Sequence, residues 1–175
     1  MIKVDQDGVA RAAGISSDGV YRWWLTRCWY RTGPWVHFLM LNPSTADADL
    51  DDPTIRRVMG FARSWGFSGV VVTNLFALRA TDPTVLWNAG IEHGHNHIVG
   101  GLNDTAILGG AGAAAYTVCA WGSDRNARIR SREVLAKLDG LGVDLRALRV
   151  AKSGAPWHPL YVSGATQAMA YTVRS

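Results

Sequence analysis

The chain carries four short apolar runs, at residues 36–41, 70–73, 116–121 and 147–151, and none alternates cleanly with polar residues. Runs of that length without alternation predict strands buried on both faces, as in a parallel sheet covered by helices. The segments between them have a helical period. Ile55, Val58, Met59, Ala62 and Trp65 fall on one face, Asp52-Pro53 supplies an N-cap with proline in the first turn, and Gly66 supplies a stop. Thr81-Asp82-Pro83 predicts the start of a short helix. Residues 95–108 predict a further helix running into a glycine-rich bend, and residues 124–138 a last one with Ile129, Val134, Leu135 and Leu138 inward. Residues 21–30 are aromatic and β-prone and end at Arg31-Thr32-Gly33-Pro34, which predicts a hairpin leading into the first core strand. Strands alternating with helices predict an α/β fold. The expectation is one domain over residues 1–175, a three-layer αβα sandwich around a central, mostly parallel four-stranded sheet, with an N-terminal β-hairpin.

Composition narrows the class. With 175 residues, 48% of them apolar and 18% charged, the chain has enough core for one domain and lacks the composition of a disordered segment. No run approaches the roughly 20 apolar residues of a membrane span, and the first residues lack the apolar stretch of a signal peptide. A cytoplasmic protein without membrane contact is therefore expected. Cys28 and Cys119 cannot by themselves make a zinc site or hold an iron–sulfur cluster, so two reduced thiols are expected, with Cys119 as a small core residue. The net charge of +4 is spread over scattered arginines, which is compatible with nucleic acid without requiring it.

Polar residues beyond the apolar runs are the candidates for chemistry. Asn42 follows the first run, Asn74 the second, and His158, in WHPLY, lies after the last. If the strands are parallel neighbours, these three meet at the carboxyl edge of the sheet, where open α/β sheets bind ligands. Each has a plainer role by itself: Asn42 before Pro43 as a turn former, Asn74 as a turn or cap, His158 as a packed loop residue. An asparagine amide offers one acceptor and two donors, which suits a pyrimidine edge; one orientation fits uracil or thymine and the other cytosine. Asp47, Asp49, Asp51 and Asp52 read as a helix cap plus a solvated loop, and His93, His95 and His97 as surface residues interrupted by Gly94, so neither metal nor cofactor is expected. Residues 110–115, GAGAAA, have the look of a dinucleotide loop but precede a strand instead of following one.

The ordered set MLNPSTAD, DDPTIRR, GFARSWGF, VTNLFALRATDP, AWG and HPLY resembles domain-of-unknown-function family 1643 over about residues 21–162. The shorter set FLMLNPS, VVVTNLFALRA, VCAWG and WHPLY is similar to the uracil-DNA glycosylases, most of all their mismatch-specific and single-strand-selective branches. That resemblance implies an enzyme that flips a uracil-type or modified pyrimidine out of single- or double-stranded DNA and hydrolyses its N-glycosidic bond. It implies that Asn42 positions the attacking water, Asn74 reads the base, His158 stabilises the departing pyrimidine, and Leu160 or Tyr161 wedges into the duplex. Pro43 and Ser44 would lie beside the base. Ser44 stands where those branches have glycine, and the tyrosine that excludes thymine in the uracil-specific branch is absent, so tight uracil selectivity is not expected.

An amide takes no proton near neutral pH, so Asn42 can only orient water, and Asp47 is the expected carboxylate helper. Phe76 or Trp65 is expected to stack on the base, and Arg79 and Arg125 to contact phosphates. Two other classes stay open. One is a hydrolase or transferase acting on a free nucleoside or nucleotide. The other is a non-catalytic binder of a modified base in DNA modification or phage–host conflict.

Overall fold

A computed structural model describes residues 3, 4 and 6–172; residues 1, 2, 5 and 173–175, near the limits of the expected domain, lie outside the described residues. In chain order the strands are β1 (Lys3–Val4), β2 (Ala10–Ile15), β3 (Arg22–Cys28), β4 (Trp35–Met40), β5 (Gly69–Asn74), β6 (Thr117–Cys119), β7 (Leu145–Ala147) and β8 (Met169–Ala170). The helices are α1 (Pro53–Ser64), α2 (Pro83–His93), α3 (His95–Val99), α4 (Asn103–Gly112) and α5 (Arg128–Asp139). Four parallel strands form the centre, in the order β5-β4-β6-β7. They sit inside a wider mixed sheet, β1-β2-β3-β5-β4-β6-β7-β8, whose outer strands run antiparallel. The expected four-stranded sheet is thus the parallel core of a larger one. The outer strands escaped the pattern because β2, ARAAGI, holds a single large apolar residue, and β1 and β8 span two residues each.

The expected hairpin into β4 does not form. β3 pairs with β5, which lies between it and β4, and its hairpin partner is β2, through the turn at residues 16–21. All six residues of β5 are buried, so it needs a strand on each edge, and β3 supplies the second.

Helices cover both faces. α1 packs Ile55, Val58, Met59, Phe61 and Ala62 against Val36, Phe38 and Met40 of β4 and Val70 and Val72 of β5. On the other face Leu39 and Cys119 meet Ile107 and Ala111 of α4 and Val134, Leu135 and Leu138 of α5. Asp52 caps α1 by accepting the Ile55 N–H at 2.8 Å, and Trp65, just past its end, stacks on Phe38 and Phe61.

Several boundaries depart from the sequence expectation. The expected helix over 95–108 is broken at Gly100-Gly101, where Gly100 (φ 80°) lies under the rings of Tyr21 and Trp23. The glycine-rich stretch is helical as far as Gly112, and Gly110 within it permits close packing on the sheet: a Cβ there would stand 3.1 Å from Val71 Cγ1 and 3.2 Å from His37 Nε2. The last parallel strand is Leu145–Ala147, not 147–151, since the chain after it turns back on itself. Ile129, expected inward, is 69% exposed; α5 turns Val134, Leu135 and Leu138 to the sheet instead.

One residue pattern shapes the edge of the sheet. β3 has a bulge at Trp23, since Arg22 pairs with Ile15 and Trp24 with Gly14. The extra residue moves Arg22 onto the face that Leu25 and Arg27 already occupy, and all three are buried. Arg27 donates to Asp51 Oδ1 at 2.8 Å and to the carbonyls of Thr26, Asp47 and Leu50. Arg11 holds the second Asp51 oxygen. The loop at residues 41–52 is therefore folded around buried guanidinium groups.

Two predictions follow from these buried polar groups. His37 is enclosed within β4, its Nδ1 bonded with Thr117 Oγ1 at 3.0 Å and its Nε2 with Thr73 Oγ1 at 2.8 Å. Burial pushes its pKa down to about 3 from the ordinary 6.5. The unfolded chain thus takes up a proton that the folded chain refuses, so stability is full above pH 6.5 and falls as pH drops toward 3. Urea midpoints from pH 8 to 4 should show this slope, and His37→Gln should flatten it. Separately, Asp51→Ala strands the Arg27 charge and should cost about 3–5 kcal/mol in urea unfolding, whereas Arg27→Met with Asp51→Leu should recover part of that loss.

Candidate functional site

The chain leaves β4 toward β5 on one side and later returns to β6 on the other. The carboxyl ends of β4 and β6 are therefore a topological switch point, the place where open sheets part their loops. A cavity of about 360 Å³ opens there. Its wall combines Asn42 and Ser44 after β4, residues 121–124 after β6, Asp52 and Thr54 at the start of α1, and Ala80 and Thr81 from the loop after β5. Arg22 of β3 and His158 and Tyr161 from beyond β7 complete it.

Asn42 is fixed by its amide N–H groups. Nδ2 donates to Pro43 O at 3.1 Å and to Ala80 O at 2.6 Å, while the Ala80 N–H donates back to Pro43 O at 2.9 Å. The loops after β4 and β5 are thereby zipped together. With both donors committed to backbone, Asn42 can act on a ligand only through Oδ1, as an acceptor.

His158 reaches the cavity because residues 148–157 double back. Val150 bridges Pro156, the Trp157 N–H donates to Arg149 O, and the Gly122 N–H donates to Pro156 O. Gly122 itself has φ 84°, a conformation that favours glycine. His158 then caps a 3₁₀ turn, Pro159–Tyr161, accepting the Leu160 N–H on Nδ1 at 3.4 Å. Burial lowers its pKa below the ordinary 6.5, with the charge of Asp52 pulling the other way, so the ring is neutral near pH 7. With Nδ1 an acceptor, the ring proton sits on Nε2, which is the donor His158 has to offer.

Asn74 does not join them. The register pairs it with Met40, so it lies within the sheet, two residues short of the level of Asn42. It is 1% exposed, and its Oδ1 accepts from Arg22 Nη2 at 3.0 Å. Its backbone carbonyl and that of Leu75 accept from Asn103 Nδ2, and Leu75 O also accepts from Arg130 Nε. Phe76 is core, edge-on to Trp87 and His95, and Trp65 is half-buried against the core on the α1 face; neither lines the cavity. Pro43 is buried and contributes a carbonyl to the zipped loops.

Asp47 also stays away from the cavity wall, because its Oδ1 is taken by the N–H groups of Asp49 and Leu50. Burial works to raise its pKa, but those two bonds and the charges of Arg79 and Arg27 hold it below the usual value. Arg79 donates to Gly19 O beneath the loop. Ser44 and Tyr161 line the cavity, Leu160 borders a neighbouring depression with Arg56 and Arg57, and Arg125 lies in a groove beyond Asp124. Among the described residues no three His, Cys, Asp or Glu side chains gather in a metal-binding group. No helix among them is long and apolar enough to cross a membrane.

The sequence reading gave no site role to several residues of the wall, among them the hydroxyl residues Thr54, Thr81 and Ser123 and the charged residues Arg22, Asp52 and Asp124. Asp52 was recognisable only as a cap, a role it does fill, and its second face on the cavity depends on where α1 begins. Arg22 left one faint signal, a single cation inside the aromatic stretch YRWW.

Residues 22–160 match the family model described as protein of unknown function DUF1643. No curated protein and no solved structure matches the chain. The matched span takes in the cavity wall from Arg22 to His158, and the chain belongs to the DUF1643 family of proteins of unknown function.

Proposed function

We propose that this protein is a DNA glycosylase-like hydrolase that takes a flipped uracil-type or modified pyrimidine into the cavity at the ends of β4 and β6. The observation that supports this reading is the meeting in one cavity of an amide oxygen, a carboxylate and a neutral imidazole: Asn42, Asp52 and His158. Hydrolysis of an N-glycosidic bond needs a placed water, an acceptor for its proton, and a donor for a base that leaves as an anion. In this reading Asn42 Oδ1 orients the water. Asp52, in place of Asp47, takes its proton. His158 Nε2–H meets the oxygen of the departing base. The hydroxyls of Ser44, Thr54, Thr81 and Ser123 line the same wall and are available to read the base edge that Asn74 does not reach.

A polymer substrate is favoured over a free nucleoside by what adjoins the cavity. A groove of about 530 Å³ shares residues 121–124 with it and is lined by Arg125, Arg128 and Arg132. The three recur at helical spacing and are exposed, and none forms an ion pair among the described residues. Such a stripe suits a run of phosphates. Tyr161, 74% exposed at the rim, is placed to wedge against neighbouring bases.

Purified protein should release base from DNA carrying uracil, 5-hydroxymethyluracil or a bulkier phage-type pyrimidine; no release from any of the three sinks the reading. Asp52→Asn should lower the rate by about 10²–10³, and Asn42→Ala by at least about tenfold, with the fold retained by circular dichroism. His158→Ala, which removes the Nε2–H donor, should lower the rate by about 10²–10³. Changing Arg125, Arg128 and Arg132 together to Gln should reduce the slope of log affinity against log salt by about 2–3.

A further inference from the structure

We propose that Arg22 forms an anion-binding subsite in the cavity wall, against which the ligand places a negatively charged oxygen. Arg22 is 2% exposed and lines the cavity. Its Nη1 donates to Ala46 O at 2.9 Å and its Nη2 to Asn74 Oδ1 at 3.0 Å, both neutral acceptors. Its Nε is buried with no acceptor, and so is Nδ2 of Asn74, the side chain it binds. No carboxylate lies within ion-pair distance of it among the described residues. Asp52 and Asp47 act on it only from further off, and Arg79 and Arg27 oppose them. Burial lowers its pKa to about 10, so it still carries its charge at pH 7.

The contrast with Arg27 is informative. Both arginines lie on the same face of β3, and both hold carbonyls of the loop at residues 41–52. Arg27 is given a carboxylate, Asp51. Arg22 is given an open cavity. An enclosed cation with no carboxylate in contact is costly to hold, and an arriving anionic oxygen relieves that cost through charge-assisted hydrogen bonds. Under the glycosylase reading, on which the identity of the anion rests, two parts of a flipped nucleotide carry such an oxygen. One is its phosphate, and the other is the base as it departs.

The test uses the wild-type protein labelled with ¹⁵N, following the arginine Nε–H resonances. Three probes are added: inorganic phosphate, neutral uracil, and orotate, a uracil bearing a carboxylate. The Arg22 signal is assigned by its loss in Arg22→Lys. The proposal expects phosphate or orotate to shift that signal, and Arg22→Gln to weaken anion binding at least tenfold while changing uracil binding less than threefold. A response to phosphate alone assigns the anion to the backbone; a response to orotate alone assigns it to the base. If neither anion moves the Arg22 signal, or if only neutral uracil does, Arg22 is a brace for Ala46 and Asn74 and the proposal is overturned. Should Arg22→Gln fail to fold, the wild-type titration decides by itself. Base release is measured separately, so a catalytically silent protein that binds anions at Arg22 would reject the glycosylase reading and keep this one.

Discussion

The cavity depends on buried guanidinium groups of β3 that take the backbone carbonyls of the loop at residues 41–52. Ala46 O binds Arg22, and Asp47 O and Leu50 O bind Arg27. The loop satisfies one of these itself, since the Asp47 N–H donates to Leu50 O, but Ala46 O and Asp47 O have no ladder partner, and left buried and unpaired each would cost about 1–3 kcal/mol. The two arginines solve this from one side because the bulge at Trp23 brings Arg22 into line with Arg27. Everything downstream follows from that alignment. The loop delivers Asp52 to the start of α1, α1 begins where Asp52 caps it, and the carboxyl end of β4 is left facing an open space instead of a collapsed one.

The centre of the fold was legible in the sequence for a simple reason. Strands buried on both faces advertise themselves as unbroken apolar runs, and β4 and β5 lie within two residues of where those runs fall. Helix α1 was equally legible, because Asp52-Pro53 at one end and Gly66 (φ 80°) at the other bracket a clear period. The antiparallel edge was not. Gly14 sits in β2 because a Cβ there would come within 2.4 Å of the Trp24 ring, so a residue that reads as a strand breaker is the one that lets the pair form. Pairing of β3 with β5 across a long stretch of chain leaves no local trace at all.

The candidate site was half legible, and the failure is one of register. Asn42 and Asn74 both follow apolar runs, yet Asn74 is level with Met40 and so belongs to the sheet rather than to its rim. A two-residue offset along a strand is about 7 Å, enough to separate a cavity residue from a core one. Asn42 and His158 did reach the cavity, each through contacts that involve distant segments: Ala80 for the first, Gly122 and Pro156 for the second. Asp47 was the nearest carboxylate in sequence to Asn42, but Asp52 is the one brought to the wall, because helix α1 starts there.

In the proposed reaction Asp52 would resolve a chemical difficulty that Asn42 raises. A carboxamide whose two N–H groups are fixed to backbone can position a water but cannot remove its proton, so by itself it supports only slow hydrolysis. A carboxylate has two oxygens with about four acceptor positions, and capping α1 through Oδ1 uses one of them. Asp52 lines a cavity that also holds His158 and Arg22, and its charge acts on both. In the proposed hydrolysis three tasks would fall to three side chains of different character: an amide would place the water, a carboxylate would accept its proton, and an imidazole kept neutral by burial would donate to the base. If Arg22 is the proposed anion subsite, a bound anionic oxygen would sit beside a wall that also carries the carboxylates of Asp52 and Asp124, so its contact with Arg22 must be direct.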